Sequence, residues 1–265
     1  MAFLDHLPDW LDRLGLRLPP GVQERLEALC VAMTADPLYP SVSKISAPEE
    51  IATKHILDSL APLALDLPCW DGLREGGSPA AASGPVSKER RPDRRRRRLV
   101  DLGTGGGFPA LPLAIALPTV EVWAVDAKGK AIDFVTRLQA ALGIDNLRPR
   151  LARAEELGRE PGAREGFDLV VCRALASVRV LLEYCLPLTR VGGHVLMYKG
   201  PSLEAELAEA GKACQVLGVR QADLAVHVLR PPALPFERGY LLVAKQQPTP
   251  AAYPRRNGVP AARPL

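Results

Sequence analysis

Apolar residues at Leu11, Leu14, Leu18, Val22, Leu26 and Leu29 recur at three- and four-residue spacings. That spacing lays one apolar stripe along a helix. Pro19 and Pro20 divide the stretch 8–36 into two helices, and Pro37 and Pro40 close the second. Ser46-Ala-Pro-Glu49 has the spacing of a capping box with proline in the first turn, so a helix is expected from Ser46 to about Leu65. From Leu99 the pattern changes. LVDL, VEVWAVD, LRPRLA, FDLVVCRA and HVLMYKG each predict a strand. Helices are expected over FPALPLAIAL, from about Lys128 to Leu142, near 178–187 and from Leu203 to Leu217. VRQADLAVHVL and ERGYLLVAK then follow as two strands with no helix between them. Strand–helix alternation implies right-handed crossovers and a parallel sheet covered on both faces. The last pair predicts an antiparallel hairpin at one edge, where a dinucleotide-binding domain would continue to alternate.

Residues 71–98 hold almost no large apolar side chain and are expected to be a disordered Gly/Pro/Arg-rich insertion. The organisation expected is a helical extension over 1–70, that insertion, a core over 99–245 and a basic tail over 246–265. At 265 residues the chain is long enough to bury a core without disulfide or metal staples. Its net charge of +4 is unevenly placed. Lys88–Arg98 carries eight bases and two acids, and the tail carries Arg255, Arg256 and Arg263 with no acid, so the remainder is mildly acidic. Two basic appendages suit a polyanion; the alternative is solvated, Arg-rich linker. The five cysteines form no CxxC pair, so neither a disulfide framework nor a structural metal site is expected. No apolar run approaches membrane-spanning length and the N-terminal residues do not read as a signal peptide, so a cytoplasmic protein is expected.

The strongest chemical signal is VDLGTGGGFP, residues 100–109. Asp101 ends a strand, Gly103, Gly105 and Gly107 permit a tight turn and close approach of a ligand, and a helix follows. Asp126 ends the next strand, where an acid accepts hydrogen bonds from a ribose diol. NAD and S-adenosylmethionine both fit this arrangement, and a ligand-free glycine turn is the third reading. The dinucleotide fingerprint wants glycine where Phe108 stands, and no G-K-[ST] follows, which favours S-adenosylmethionine.

The glycine-loop segment VDLGTGGGFPALPLAIALP resembles the first motif of the bacterial 16S rRNA guanine-N7 methyltransferases, the RsmG or GidB family. Further motifs occur in the family's order. They are Lys54-His-Ile-Leu-Asp-Ser59, Arg153-Ala-Glu-Glu156, Cys172-Arg-Ala-Leu-Ala-Ser177, Tyr198-Lys-Gly200, Glu237-Arg238 and the tail segment Tyr253–Pro260. Together they cover about residues 44–70 and 99–265. Departures are Ser41-Val-Ser-Lys-Ile45 in place of an N-L-T segment, Gly129-Lys130 in place of a basic pair, Phe108-Pro-Ala110 in place of F-P-G, and the insertion. The resemblance implies a class I S-adenosylmethionine-dependent methyltransferase: a Rossmann-like, mostly parallel seven-stranded α/β sheet ending in an antiparallel hairpin. It implies transfer to N7 of one guanine in 16S rRNA, as naked RNA or in the small ribosomal subunit, by a monomer without membrane association. Another RNA, a protein acceptor or a NAD-dependent oxidation are the alternatives.

By the same resemblance the cofactor would lie against Gly103, Phe108, Asp126, Ala127, Lys128, Ala154, Glu155 and Arg173. Lys199, Arg255 and Arg256 are candidates for RNA contact. Each has a structural alternative. Asp101 binds the cofactor amine or only anchors the loop. Glu155 reads the adenine through its backbone or is a helix-start acid. Arg173 holds a carboxylate or phosphate or sits in an internal ion pair. His55 and Asp58, three apart on a helix, cover the pocket or form a structural pair. No general base is expected, because N7 of guanine already has a free lone pair.

Overall fold

The computed structural model describes residues 7–73, 96–230 and 237–265. Seven strands, β1 (Arg98–Leu102), β2 (Glu121–Asp126), β3 (Leu147–Leu151), β4 (Phe167–Arg173), β5 (Thr189–Lys199), β6 (Leu224–Leu229) and β7 (Arg238–Ala244), form one sheet in the order β3-β2-β1-β4-β5-β7-β6. The first five pair in parallel and β7 runs antiparallel to both β5 and β6. The strand order reverses between β1 and β4, which places a ligand crevice at their carboxyl ends.

Side-chain parity decides which face each strand residue serves. Leu99, Leu169, Val171, Leu196, Tyr198, Tyr240 and Leu242 belong to one core. Val100, Leu102, Val170, Cys172, Val195, Met197, Leu241 and Val243 belong to the other. The second face is covered by α9 (Val178–Cys185), α10 (Leu203–Ala208) and α11 (Gly211–Leu217). The first is covered by α6 (Ala110–Ala116) and α7 (Gly129–Leu142), together with the N-terminal helices. Those are α1 (Leu7–Arg13), α2 (Val22–Ala35) and α3 (Tyr39–Val42), then α4 (Pro48–Ile51), which continues through a π-helical turn (Ala52–Leu57), α5 (Asp58–Leu60) and a 3-10 turn (Ala61–Ala64). Leu26, Leu29 and Met33 of α2 are fully buried in the same cluster as Leu111 and Phe134.

Several expected boundaries move. Ser46 caps nothing: α4 starts at Pro48 after Ala47, whose side chain has no oxygen to offer the helix. Pro40 lies inside α3, at a first-turn position where its missing N–H has no role. The helix expected over Leu203–Leu217 breaks at Glu209-Ala210, before Gly211. The expected disordered stretch 71–98 has ordered edges: Leu73 is buried, and Arg97 and Arg98 ion-pair with Asp168 and Glu121. Arg98 also lies over the Trp123 and Phe167 rings. Residues 74–95, including most of the arginine run, lie outside the described residues. Arg97 and Arg98 stand at the amino end of β1, across the sheet from the ligand crevice. The tail is no loose appendage either. It packs against the core and ends in α8's neighbour α12 (Val259–Ala262), with α8 itself spanning Ala154–Leu157. No described helix is long and apolar enough to cross a membrane.

Candidate active site

The glycine loop is tied to the end of β2 by backbone bonds from Gly103 and Thr104 to the Val125 carbonyl, at 2.8 and 3.0 Å. Gly103 (φ +73°) and Gly107 (φ +90°) occupy left-handed backbone that other residues avoid. A Cβ on Gly103 would come within 2.6 Å of Leu175 Cδ1, and one on Gly107 within 2.3 Å of Leu111 Cδ1. At Gly107 the buried Leu111 leaves no room for a side chain, and at Gly103 the β4–α9 connection lies across the loop through Leu175.

Two carboxylates organise this loop. Asp101 Oδ2 accepts the Ala110 N–H at the start of α6 (3.1 Å), the anchoring role considered for it. Its Oδ1 and the Thr104 hydroxyl are both buried, with the hydroxyl acting on the carboxyl as a hydrogen-bond donor. Burial pushes the Asp101 carboxyl up to about 7. Asp126 accepts the Gly105 N–H on Oδ2 and the Lys128 N–H on Oδ1, both at 2.9 Å. Each oxygen keeps a second lone pair for a ligand hydroxyl. Ala127 and Lys128 beside it are exposed.

Phe108 leaves the loop buried and stacks on His55, with ring centroids 4.3 Å apart and planes 4° apart. His55 Nε2 lies 3.0 Å from Ser43 Oγ, while its buried Nδ1 has no partner. Burial, then Arg173, depress its pKa to about 4, so the imidazole is neutral at physiological pH. Ser43 lies in the segment that departs from the family pattern, and this hydrogen bond gives it a role there.

Arg173 shares the parity of Leu169 and Val171, so it emerges on the face covered by the N-terminal helices. There its Nη1 donates to the Lys54 carbonyl (2.9 Å) and to Asp58 Oδ2 (2.7 Å). Arg238, at the start of β7, donates to Asp58 Oδ1 (2.5 Å) and Oδ2 (3.0 Å). The structural alternative for Arg173 is thus the one formed, and Asp58, wholly buried, serves two arginines rather than His55. Lys199 donates to the Ala176 carbonyl (2.9 Å) and pairs with Glu206 (2.6 Å). An open cavity of about 650 Å³ sits here, at the carboxyl ends of β4 and β5, lined by Lys54, His55, Asp58, Arg173, Lys199 and Arg238 among others.

Other candidates fall elsewhere. Ala154 and Glu155 open α8 beside the end of β3; the Glu155 side chain is buried and accepts the Gly258 N–H (2.7 Å). Arg255 makes a two-pronged contact with Glu183, which is buried, so the structure brings it to an internal ion pair. Arg256 beside it is exposed. Sequence reasoning missed the Phe108–His55 stack and the Arg238–Asp58 contact. The motifs were visible, but no spacing rule links His55 to Phe108 or, 180 positions apart, Asp58 to Arg238.

The family model described as GidB, rRNA small subunit methyltransferase G, matches residues 86–231. A ribosomal RNA small subunit methyltransferase G from Desulfitobacterium hafniense is 38% identical over 225 residues, covering 85% of this chain and 82% of its own. The protein of that name from Synechococcus elongatus is 34% identical over 267 residues, covering 100% of this chain and 98% of its own. That from Deinococcus radiodurans is 37% identical over 254 residues, covering 96% and 89%. This chain belongs to the GidB family of rRNA small subunit methyltransferases, enzymes whose methyl donor is S-adenosylmethionine.

Proposed function

We propose that this protein transfers a methyl group to N7 of one guanine in 16S rRNA, with the cofactor along the carboxyl ends of β1, β2 and β3 and the base in the cavity beyond β4 and β5. The observation that carries the reading is Asp126 at the end of β2, whose two oxygens hold the glycine loop and the following turn through the Gly105 and Lys128 N–H groups and keep lone pairs toward the crevice. Those lone pairs suit a ribose diol such as that of S-adenosylmethionine, and the left-handed Gly103 and Gly107 keep the loop beside it bare of side chains. The residues therefore fit this cofactor.

The cofactor supplies a sulfonium methyl. The chain supplies alignment, which in favourable cases is worth about 7–11 kcal/mol. Gly103 lets the loop backbone approach the ligand, Asp126 fixes the ribose, and the N–H groups at the start of α8 meet the adenine. N7 would attack with its own lone pair as the methyl–sulfur bond breaks and its electrons stay on sulfur, leaving a neutral thioether, so no side chain need remove a proton. The guanine becomes cationic as the methyl arrives. The neutral His55 adds no like charge there, and Asp58 offsets one of the two arginine charges at the cavity. Arg256 and Lys128 remain as exposed cations to meet phosphates. The acceptor base must be unstacked to enter the cavity.

The test is transfer of labelled methyl to 16S rRNA, as naked RNA and as small subunits, from cells lacking the enzyme, by the wild type and by Asp126→Ala. Transfer to one site that falls at least about 100-fold in the variant, ~2.7 kcal/mol of lost binding and alignment, supports the reading. Undiminished transfer by the variant would remove Asp126 from the site.

A further inference from the structure

One wall of the cavity beyond β4 and β5 carries a donor and an acceptor side by side. Lys199 ends β5 and Glu206 stands on α10, and both line the cavity. Lys199 Nζ donates to the Ala176 carbonyl (2.9 Å) and pairs with Glu206 Oε2 (2.6 Å). Glu206 Oε2 also accepts the Val178 N–H that opens α9 (3.0 Å), and its Oε1 accepts the Ser202 hydroxyl (2.9 Å). An ammonium has three protons, and each carboxylate oxygen has two lone pairs. One proton of Lys199 and one lone pair of Glu206 Oε1 are therefore left over among the described residues. The two side chains are 10% and 21% exposed, so the pair opens on the cavity instead of closing into the core. Burial works against the Glu206 charge, but the Lys199 and Ser202 hydrogen bonds hold its carboxyl below the usual carboxylate range, so it is ionised at neutral pH. The other carboxylate lining the cavity, Asp58, is wholly buried and committed to Arg173 and Arg238.

The order of the strands decides which side of an entering base meets this pair. The glycine loop follows β1, β4 lies beside β1, and β5 lies beyond β4. A purine whose N7 faces a methyl donor on the β1 side turns its six-membered ring toward β5 and α10. On guanine the edge of that ring carries O6, an acceptor, next to N1–H, a donor. Adenine carries an amino donor next to a bare N1, the reverse order. A lysine donor beside a carboxylate acceptor complements guanine and clashes with adenine at both atoms. Methylation at N7 draws electrons from the ring and makes N1–H a stronger donor. A carboxylate that accepts this proton therefore gains strength as charge develops, which is the condition for speeding the reaction.

We propose that Lys199 and Glu206 read the acceptor base, with Lys199 donating to O6 of guanine and Glu206 Oε1 accepting its N1–H. The inference rests on the reading that guanine N7 is methylated with the base in this cavity. Lys199 then contacts RNA at a base and not at a phosphate, and Glu206 cancels its charge, so the pair adds no net positive charge beside a cationic product.

The experiment measures kcat/KM for labelled methyl transfer to small-subunit rRNA carrying guanine, inosine or 2-aminopurine at the methylated position, in whichever form, naked or assembled, accepts methyl in the labelling assay. The enzymes compared are the full-length wild type, Glu206→Gln and Lys199→Met. Inosine keeps O6, N1–H and N7 and loses only the 2-amino group. 2-Aminopurine keeps N7 and the 2-amino group but has neither O6 nor N1–H. The wild type should use inosine within about threefold of guanine and 2-aminopurine at least about 100-fold less well, because a site built around hydrogen bonds rejects an analogue that leaves them unmade. Each variant should narrow the guanine-to-2-aminopurine ratio by at least about tenfold, with S-adenosylhomocysteine affinity unchanged by calorimetry. A pair that only holds the β4–α9 connection in place would slow all three bases alike, and an unchanged ratio in the variants would overturn the proposal. Glu206→Gln keeps the side chain's length and an oxygen for Ser202, so it decides the matter alone if Lys199→Met does not fold. A wild type that uses 2-aminopurine as well as guanine, or rejects inosine as strongly as 2-aminopurine, would also overturn it. Absence of transfer to guanine itself would overturn the proposed function and this proposal with it, and shows in the unmodified rRNA before any analogue is tried.

Discussion

Asp58→Asn is the perturbation that probes the site's framework most sharply. Asparagine keeps the shape of the side chain but removes the charge that two guanidinium groups share. Three hydrogen bonds are at stake, from Arg173 Nη1 (2.7 Å), Arg238 Nε (2.5 Å) and Arg238 Nη2 (3.0 Å). Breaking a buried ion pair by removing one partner costs roughly 3–5 kcal/mol. The Asp58 side chain is fully buried, but those of Arg173 and Arg238 are 16% and 27% exposed, so water recovers part of the loss. The expected destabilisation is about 2–4 kcal/mol. Urea unfolding reads it as a lowered midpoint with an unchanged slope. The cost should shrink in an Arg238→Met background, because the contacts are shared and do not add. A loss below about 0.5 kcal/mol would refute the claim that Asp58 is the electrostatic anchor joining the N-terminal helices to β4 and β7.

Three further outcomes are expected. Asp101→Asn should change how stability depends on pH: an acid raised in the folded state to about 7 from 3.8 contributes stability that is complete below the lower value and lost as pH rises through the higher, so the variant should gain on the wild type across that window, by up to roughly 4 kcal/mol in thermal or urea unfolding. Gly107→Ala should cost about 2–4 kcal/mol in urea unfolding, combining left-handed backbone strain with an overlap against buried Leu111. Arg255→Ala should destabilise by about 2–4 kcal/mol, since it strands buried Glu183, while exposed Arg256→Ala should leave stability unchanged and lower the salt dependence of RNA binding by about one phosphate contact.

How far the sequence foretold this protein depended on the range of the interactions. Most strands from LVDL to ERGYLLVAK were legible because each is a short apolar run bounded by turn residues, β3 (LRPRL) because it follows a helix and its turn, and the final hairpin because no helix separates its strands. Gly103, Asp101 and Asp126 were legible because the ligand crevice follows from strand ends and a tight turn, which are local features. Arg173 was recognised as a residue at a strand end, yet its partner was not, since Asp58 lies 115 positions earlier and meets it only once helices cover that face. Lys199 and Arg255 looked like free cations for the same reason: composition reports charge and cannot report that Glu206 and Glu183 neutralise it. The capping reading at Ser46 failed because Pro48, not the hydroxyl, sets where α4 begins.

The central claim is a single N7-methylated guanine in 16S rRNA made by this crevice. Methylation at N7 gives the base a fixed positive charge and makes the strand cleavable by borohydride followed by aniline. Small-subunit rRNA from cells lacking the enzyme, treated with the protein and S-adenosylmethionine and then cleaved, should break at one guanine, with no break in the untreated rRNA or after treatment with Asp126→Ala. Methyl incorporation without such a break would place the methyl on another atom and contradict the account.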